Sequence, residues 1–229
     1  MTKNLSKIEK LIVELCPNGV KFKKLGEVCD IADNKRKPVR SGLRAPGKIP
    51  YYGANNIQDY VEGFTHDGDY VLIAEDGSAS LENYSIQYAT GKFWANNHVH
   101  VIKGNNELSN RFLFHYLRSM NFVPFLSGGT RAKLTKAKML VIKIPLPPLA
   151  IQEVIVKILD SFTELEAELE AELEVRKKQY EYYRKDLMLS NNEGERKTLG
   201  DIYDFQYGEG NTIPNKGGKY PVYGGNRLA

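Results

Sequence analysis

The sequence predicts an α+β protein: a strand-rich globular domain followed by a long coiled-coil α-helix. Three observations predict it. Short apolar runs broken by turn signals fill the chain from Phe22 to Lys143; the forty residues from Ala150 to Leu189 contain neither Pro nor Gly; and apolar side chains along that stretch recur in steps of three and four.

The chain opens with a helix. In Ser6–Leu15, Ile8, Leu11, Ile12 and Leu15 share one face, and Ser6 with Glu9 forms a capping box. Pro17-Asn18-Gly19 stops it. Residues 68–74 and 97–102 read as strands, and residues 111–120 as a short packed helix carrying Phe112, Phe114, His115 and Tyr116. Residues 144–149, with three prolines, read as a stiff connector, because proline fixes φ and forbids helix before it. From residue 151 the seam runs Ile155, Ile158, Phe162, Leu165, Leu169, then Leu173, Arg176, Tyr180, Tyr183, Leu187. The two successive steps of four at 165–169–173 make a stutter. Such a helix is about 60 Å long. Its apolar seam needs a partner helix.

After the helix the sequence begins again. Leu25-Gly26-Glu27-Val28-Cys29-Asp30-Ile31 is answered by Leu199-Gly200-Asp201-Ile202-Tyr203-Asp204-Phe205. Pro50-Tyr51-Tyr52-Gly53-Ala54-Asn55 is answered, in the same order, by Pro221-Val222-Tyr223-Gly224-Gly225-Asn226. The expected organisation is therefore a domain over residues 1–150, a spacer helix over 151–190 and the start of a second copy over 191–229.

Composition narrows the function. Two cysteines without metal-ligand spacing exclude a disulfide framework, and the first residues lack the apolar core of a signal peptide, so a cytoplasmic protein is expected. The net charge of +4 conceals a segregation. No Asp or Glu lies between Leu108 and Gln152, a stretch carrying Arg111, Arg118, Arg131, Lys133, Lys136, Lys138 and Lys143. A second basic run is Lys35-Arg36-Lys37 with Arg40, Arg44 and Lys48, while six glutamates crowd residues 164–174. This is the footprint of a polyanion-binding surface. Loop residues Gly128–Lys136, Tyr51–Asn56 and Ala95–His98 add glycines, hydroxyls and amides. Arg and Asn side chains can read base edges and Lys can meet phosphate, although amides also simply cap turns. The Tyr-rich composition has the same ambiguity, since tyrosines stack on bases or pack half-buried in strands.

Catalytic motifs fail on inspection. Gly42–Lys48 matches a phosphate-binding loop until Ile49 replaces the required Ser or Thr, and no apolar strand precedes it. Gly208-Glu209-Gly210 is a turn fragment. There is no adenine-methyltransferase motif and no nuclease carboxylate–lysine cluster. His98 and His100 alternate along a strand, and His66 and His115 have no local Cys or carboxylate pattern, so no metal site is expected.

The ordered blocks Cys16-Pro17-Asn18-Gly19-Val20, Leu25-Gly26-Glu27-Val28, Tyr52-Gly53-Ala54-Asn55, Glu75-Asp76-Gly77-Ser78, Trp94-Ala95-Asn96-Asn97-His98, Gly129-Thr130 with Lys133-Leu134, and Pro145-Leu146-Pro147-Pro148-Leu149 with Gln152 resemble the specificity subunits of type I restriction–modification systems. Ile151 departs from the family, which commonly has an acidic residue there. The resemblance implies two target-recognition domains separated by antiparallel helices, each domain reading half of a split double-stranded DNA site, with no bond chemistry of their own. It implies methyltransferase subunits that carry S-adenosylmethionine, a motor–nuclease subunit for restriction, and no cofactor on this chain.

The expected DNA-binding residues are Lys35, Arg36, Lys37, Arg40, Arg44, Tyr52, Asn55, Asn56, Ser78, Asn97, Thr130, Arg131, Lys133, Thr135, Lys136 and Lys138. The expected partner-helix residues are Ile155, Ile158, Phe162, Leu165, Leu169, Leu173, Tyr180, Tyr183 and Leu187. Because the second copy is cut short, two chains are expected to pair through residues 151–189 and read a palindromic split site; a second half supplied elsewhere is the other possibility. A free-standing DNA-binding coiled-coil protein and a small nucleic-acid-modifying enzyme are the alternatives. The first would never travel with a methyltransferase, and the second would need a cofactor or metal site.

Overall fold

A computed structural model describes residues 6–128, 132–189 and 197–204. In chain order the elements are α1 (Lys7–Leu15), β1 (Phe22–Lys24), α2 (Leu25–Val28), β2 (Cys29–Ile31), β3 (Pro46–Gly53), β4 (Asn56–Val61), β5 (His66–Asp67), β6 (Tyr70–Ala74), β7 (Ile86–Ala89), β8 (Lys92–Ala95), β9 (Val99–Gly104), α3 (Asn110–Arg118), α4 (Lys136–Leu140), β10 (Lys143–Pro145), α5 (Leu149–Leu189) and α6 (Leu199–Ile202). The chain divides into two units, 1–170 and 171–229. The α+β class, strand-rich domain then long helix, is what the sequence predicts.

The first unit is built on two four-stranded sheets. One, in the order β2-β9-β6-β7, is antiparallel throughout. The other runs β4-β3-β8-β5, with β3 and β8 parallel. Strand β6 is buried on both sides, which is why Tyr70–Ala74 is a continuous apolar run rather than an alternating one. Val71 and Ile73 join Ile102 in a core with Leu113 and Leu117 of α3 and Met139 of α4. On the opposite side Leu72, Val99 and Val101 meet Phe93 and Ala95 of β8. A strand's period of two thus feeds two cores at once.

Both expected strands start later than the sequence suggests. Gly68 adopts φ +122° and belongs to a turn, so β6 starts at Tyr70. The Asn96 side chain accepts from the His98 amide, 2.8 Å, a local turn that delays β9 to Val99. The helices follow their caps. Ser6 and Glu9 form the capping box of α1, and Ser109 caps α3, which starts at Asn110, one residue earlier than expected, with Phe112, Leu113, Phe114 and Leu117 buried.

The proline connector is only partly a connector. Its first residues form β10, which pairs antiparallel with β1 at Phe22–Pro145, Lys23–Ile144 and Lys24–Lys143. Pro145 is tolerated there because it sits at the end of a two-stranded ribbon. Helix α5 then starts at Leu149, directly after Pro147 and Pro148, two residues ahead of the expected boundary. Its base is fastened by Gln152, fully buried: its carbonyl accepts from the Ser109 amide (2.9 Å), and its amide donates to the Glu107 and Pro147 carbonyls (2.8 Å each). Asp160 adds a second tie, bonded by Arg111 Nε (2.8 Å) and His115 Nε2 (2.6 Å).

In the second unit α5 continues to Leu189 and α6 follows. The sequence repeat has a counterpart in backbone geometry. In α2 the Lys24 amide donates to the Glu27 carboxylate and the Cys29 amide returns to the Leu25 carbonyl; in α6 the Thr198 amide donates to Asp201 and the Tyr203 amide returns to Leu199. The environments differ. Leu25 and Val28 are fully buried, whereas Leu199 and Ile202 are exposed. The remainder of the expected second copy, residues 191–196 and 205–229, lies outside the described residues.

Candidate nucleic-acid interface

The two basic runs, far apart in sequence, meet in space on one carboxylate. Glu75 follows β6. Its Oε2 accepts from Arg36 Nη1 (2.7 Å) and its Oε1 from Lys133 Nζ (2.8 Å). Arg36 also donates to the Val99 and Asp33 carbonyls. The backbone repeats the junction: the Leu134 amide donates to the Glu75 carbonyl (2.7 Å), and Ser127 and Lys133 exchange amide hydrogen bonds.

Behind this lies His100, 1% exposed. Its Nε2 donates to the Leu134 carbonyl (2.9 Å), while Nδ1 faces Asp33 Oδ2 (2.7 Å); Asp33 Oδ1 accepts from the Val101 amide. Burial works to raise the Asp33 carboxyl, and the bonds from His100 and Val101 outweigh it, holding it below the usual carboxylate range. At Glu75 burial is likewise outweighed by Lys133 and Arg36, and the carboxyl is held low. Lys133 is raised by its bond to Glu75. Both acids are thus held ionised.

The expected site residues therefore separate by what they touch. Lys35, Lys37, Arg40, Lys136 and Lys138 are exposed. Lys37 stands beside the Trp94 ring, 6.0 Å from its centroid. Arg36 and Lys133 are engaged with Glu75. Arg44 lies over Tyr51, 4.1 Å from ring centre, and reaches Asp59. Asn55 clamps a neighbouring loop, donating to the Gly77 carbonyl and accepting from the Ala79 amide. Ser78 braces the same loop through the Ser80 carbonyl and Ser85 amide. Thr135 caps α4 by accepting from the Lys138 amide. Asn97 is exposed just ahead of β9. Thr130 and Arg131 lie outside the described residues.

Tyr52, Asn55 and Asn56 come together at a polar cleft of about 520 Å³. Arg118, part of the acid-free basic stretch, also lines it, with Asn83 and Gln87, which the sequence did not single out. Gln87 donates to the Gly53 and Ala54 carbonyls, but its buried Oε1 has no hydrogen-bond partner.

Along α5 the seam is open, from 43% exposure at Ile158 to 76% at Leu187, with Phe162, Leu165, Leu169, Leu173, Tyr180 and Tyr183 between those values. Ile155 differs: it packs against the domain core. Helical spacing cannot distinguish a side chain facing a partner from one facing its own domain.

The rejected phosphate loop is structurally something else. Its second glycine, Gly47, lies in β3, where an added Cβ would sit 2.3 Å from the Val61 backbone. Close strand approach explains that glycine. The local reading of histidine missed distant partners, since His115 meets Asp160, His98 meets Asp76 (2.5 Å) and His100 meets Asp33. Among the described residues no group of three or more His, Cys, Asp or Glu is placed to hold a metal ion, and no helix is long and apolar enough to cross a membrane.

Residues 17–175 match the family model for the type I restriction modification DNA specificity domain. A Haemophilus influenzae relative, provisionally named as a type I restriction enzyme specificity subunit, is 59% identical over 210 residues, covering 88% of this chain and 54% of its own. The Escherichia coli EcoprrI specificity subunit is 39% identical over 116 residues, covering 51% of this chain and 28% of its own. The chain thus spans about half the length, or less, of these relatives. In fold it is similar to the crystal structure of a type I restriction–modification S subunit from M. genitalium, with TM-score 0.62 and 19% identity over 92% of this chain and 61% of that one.

Proposed function

Because the chain belongs to the type I restriction modification DNA specificity domain family, we propose that it reads one half of a bipartite DNA site. It then positions the methyltransferase and restriction subunits there, acting in the cytoplasm and catalysing nothing itself. The observation that carries this reading is the meeting of the two basic runs on Glu75. It joins Arg36, which Lys35 and Lys37 flank in sequence, to Lys133, which lies just ahead of the helix bearing Lys136 and Lys138. Exposed lysines supply salt-dependent phosphate affinity, and arginine and amide side chains nearby supply base choice.

Residues 1–150 are the target-recognition domain, 151–190 the spacer, and 191–229 the start of a second recognition domain. S-adenosylmethionine belongs to the methyltransferase partner. Two copies pair through the exposed seam of α5, because a row of apolar side chains this long is costly to leave in water. The arrangement yields a palindromic split site.

The test is co-expression with the neighbouring methyltransferase and mapping of methylated adenines across the host genome. A split motif is expected, palindromic where two copies pair. Absence of new methylation, with both proteins soluble, refutes the specificity role. A stable monomer by light scattering at micromolar concentration refutes the homodimer.

A further inference from the structure

We propose that Glu75 is a positioning residue for DNA recognition, holding the two basic runs at a fixed separation, with Asp33 and His100 as the strut behind it. This rests on the DNA-reading function above.

An acid amid cations that face DNA costs affinity by simple charge, so it needs a compensating role. Here the role is geometric. One side chain spans Arg36 and Lys133, and the backbone carbonyl of the same residue receives the Leu134 amide. Segment 133–138 is thus attached twice, and Thr135 at once caps the helix that carries Lys136 and Lys138. On the other side Arg36 is held by four acceptors on Asp33, Glu75 and Val99, which fixes where Lys35 and Lys37 emerge.

The strut ties the same two segments a second time. A carbonyl oxygen can only accept, so His100 Nε2 carries the hydrogen that reaches Leu134; its other nitrogen meets Asp33, which starts the turn bearing Lys35. The pieces joined are distant in sequence: Leu134 and Met139 anchor one in the core and backbone bonds to Val101 and Ala95 anchor the other, while the Glu75 and Asp33–His100 bonds tie the two directly to each other. Phosphate contacts tolerate a loose separation, whereas base-edge contacts require a defined register.

The experiment compares wild type with Glu75→Gln, Asp33→Asn and Glu82→Gln, each assembled with the methyltransferase. Glu82 is exposed in the same domain and is the charge-only control. Each complex is titrated against a duplex carrying the motif found by methylation mapping and an unrelated duplex of equal length. The ratio of the two affinities is independent of the fraction of folded protein. Expected is a fall in that ratio of about tenfold for Glu75→Gln, the worth of one charge-assisted hydrogen bond, with binding to the unrelated duplex held or strengthened. Asp33→Asn lowers the ratio in the same direction, and Glu82→Gln leaves it unchanged. A ratio for Glu75→Gln equal to that of Glu82→Gln overturns the proposal. A wild-type complex that prefers neither duplex overturns the DNA-reading function itself, and the proposal with it.

Discussion

Replacing Gln152 by Ala removes three hydrogen bonds, two that join the base of the long helix to the turn before α3 and one to the Pro147 carbonyl just ahead of the helix. All three are 2.8–2.9 Å, and all end on backbone groups. A net hydrogen bond contributes about 1 kcal/mol, and a buried group left without a partner costs about 1–3 kcal/mol. The Ser109 amide and the Glu107 and Pro147 carbonyls therefore place the loss at about 3 kcal/mol, before any cavity term. For a protein of this size that corresponds to a fall of about 6–12 °C in the thermal midpoint. Circular dichroism melts of wild type and Gln152→Ala at equal concentration provide the measurement. Gln152→Glu is the informative companion. Once ionised it cannot donate to either carbonyl, so its deficit should grow between about pH 5 and pH 8. A midpoint shift below about 2 °C for Gln152→Ala would refute the reasoning that this side chain fastens the helix.

Further expectations follow from other contacts. Leu165→Asp combined with Leu169→Asp should convert self-associated protein to monomer in light scattering, with the domain's melting unchanged, because both side chains are more than 45% exposed in the single chain. Asp160 is held low because the bonds from His115 and Arg111 outweigh the upward push of burial. An unfolded aspartate titrates near 3.8, so the stability it contributes is present above that value and lost as the pH falls below it. Urea midpoints at about pH 6 and pH 3 should differ less in Asp160→Asn than in wild type. Burial, with the nearby Asp30, pushes the Cys29 thiol up to about 12. Cys29 should stay inert to a disulfide reagent near neutral pH and react only on unfolding, and labelling of the folded protein at that residue would contradict its burial.

What the sequence revealed depended on the range over which its signals act. Capping boxes are local, so Ser6–Glu9 could be read directly, and α5 announced itself by lacking Pro and Gly. The edges of β6 and β9 moved by two residues because Gly68 and Asn96 form turns that apolar patterning does not register. Strands β1 and β10 are three residues each and find each other across the whole domain, which periodicity cannot signal. The basic runs were visible as composition. Their meeting on Glu75 was not, since an ion pair depends on where the fold carries each side chain. The same holds for Asp160, which sits on α5 and bonds α3. Gln152 stood out in the sequence as part of a motif, and only packing gives that residue a reason.

The ribbon of β1 and β10 gives the domain one doorway. The chain enters at Lys24 and leaves at Lys143, paired neighbours on adjacent strands, which lie about 4.8 Å apart. Everything between them is a closed loop of chain whose two ends share a threshold. A different loop with the same threshold would keep the ribbon, but it would have to supply again the groups at Glu107, Ser109, Arg111 and His115 that grip the base of the helix. An exchanged cassette therefore has to bring its own contacts to the helix, because the doorway alone does not hold it.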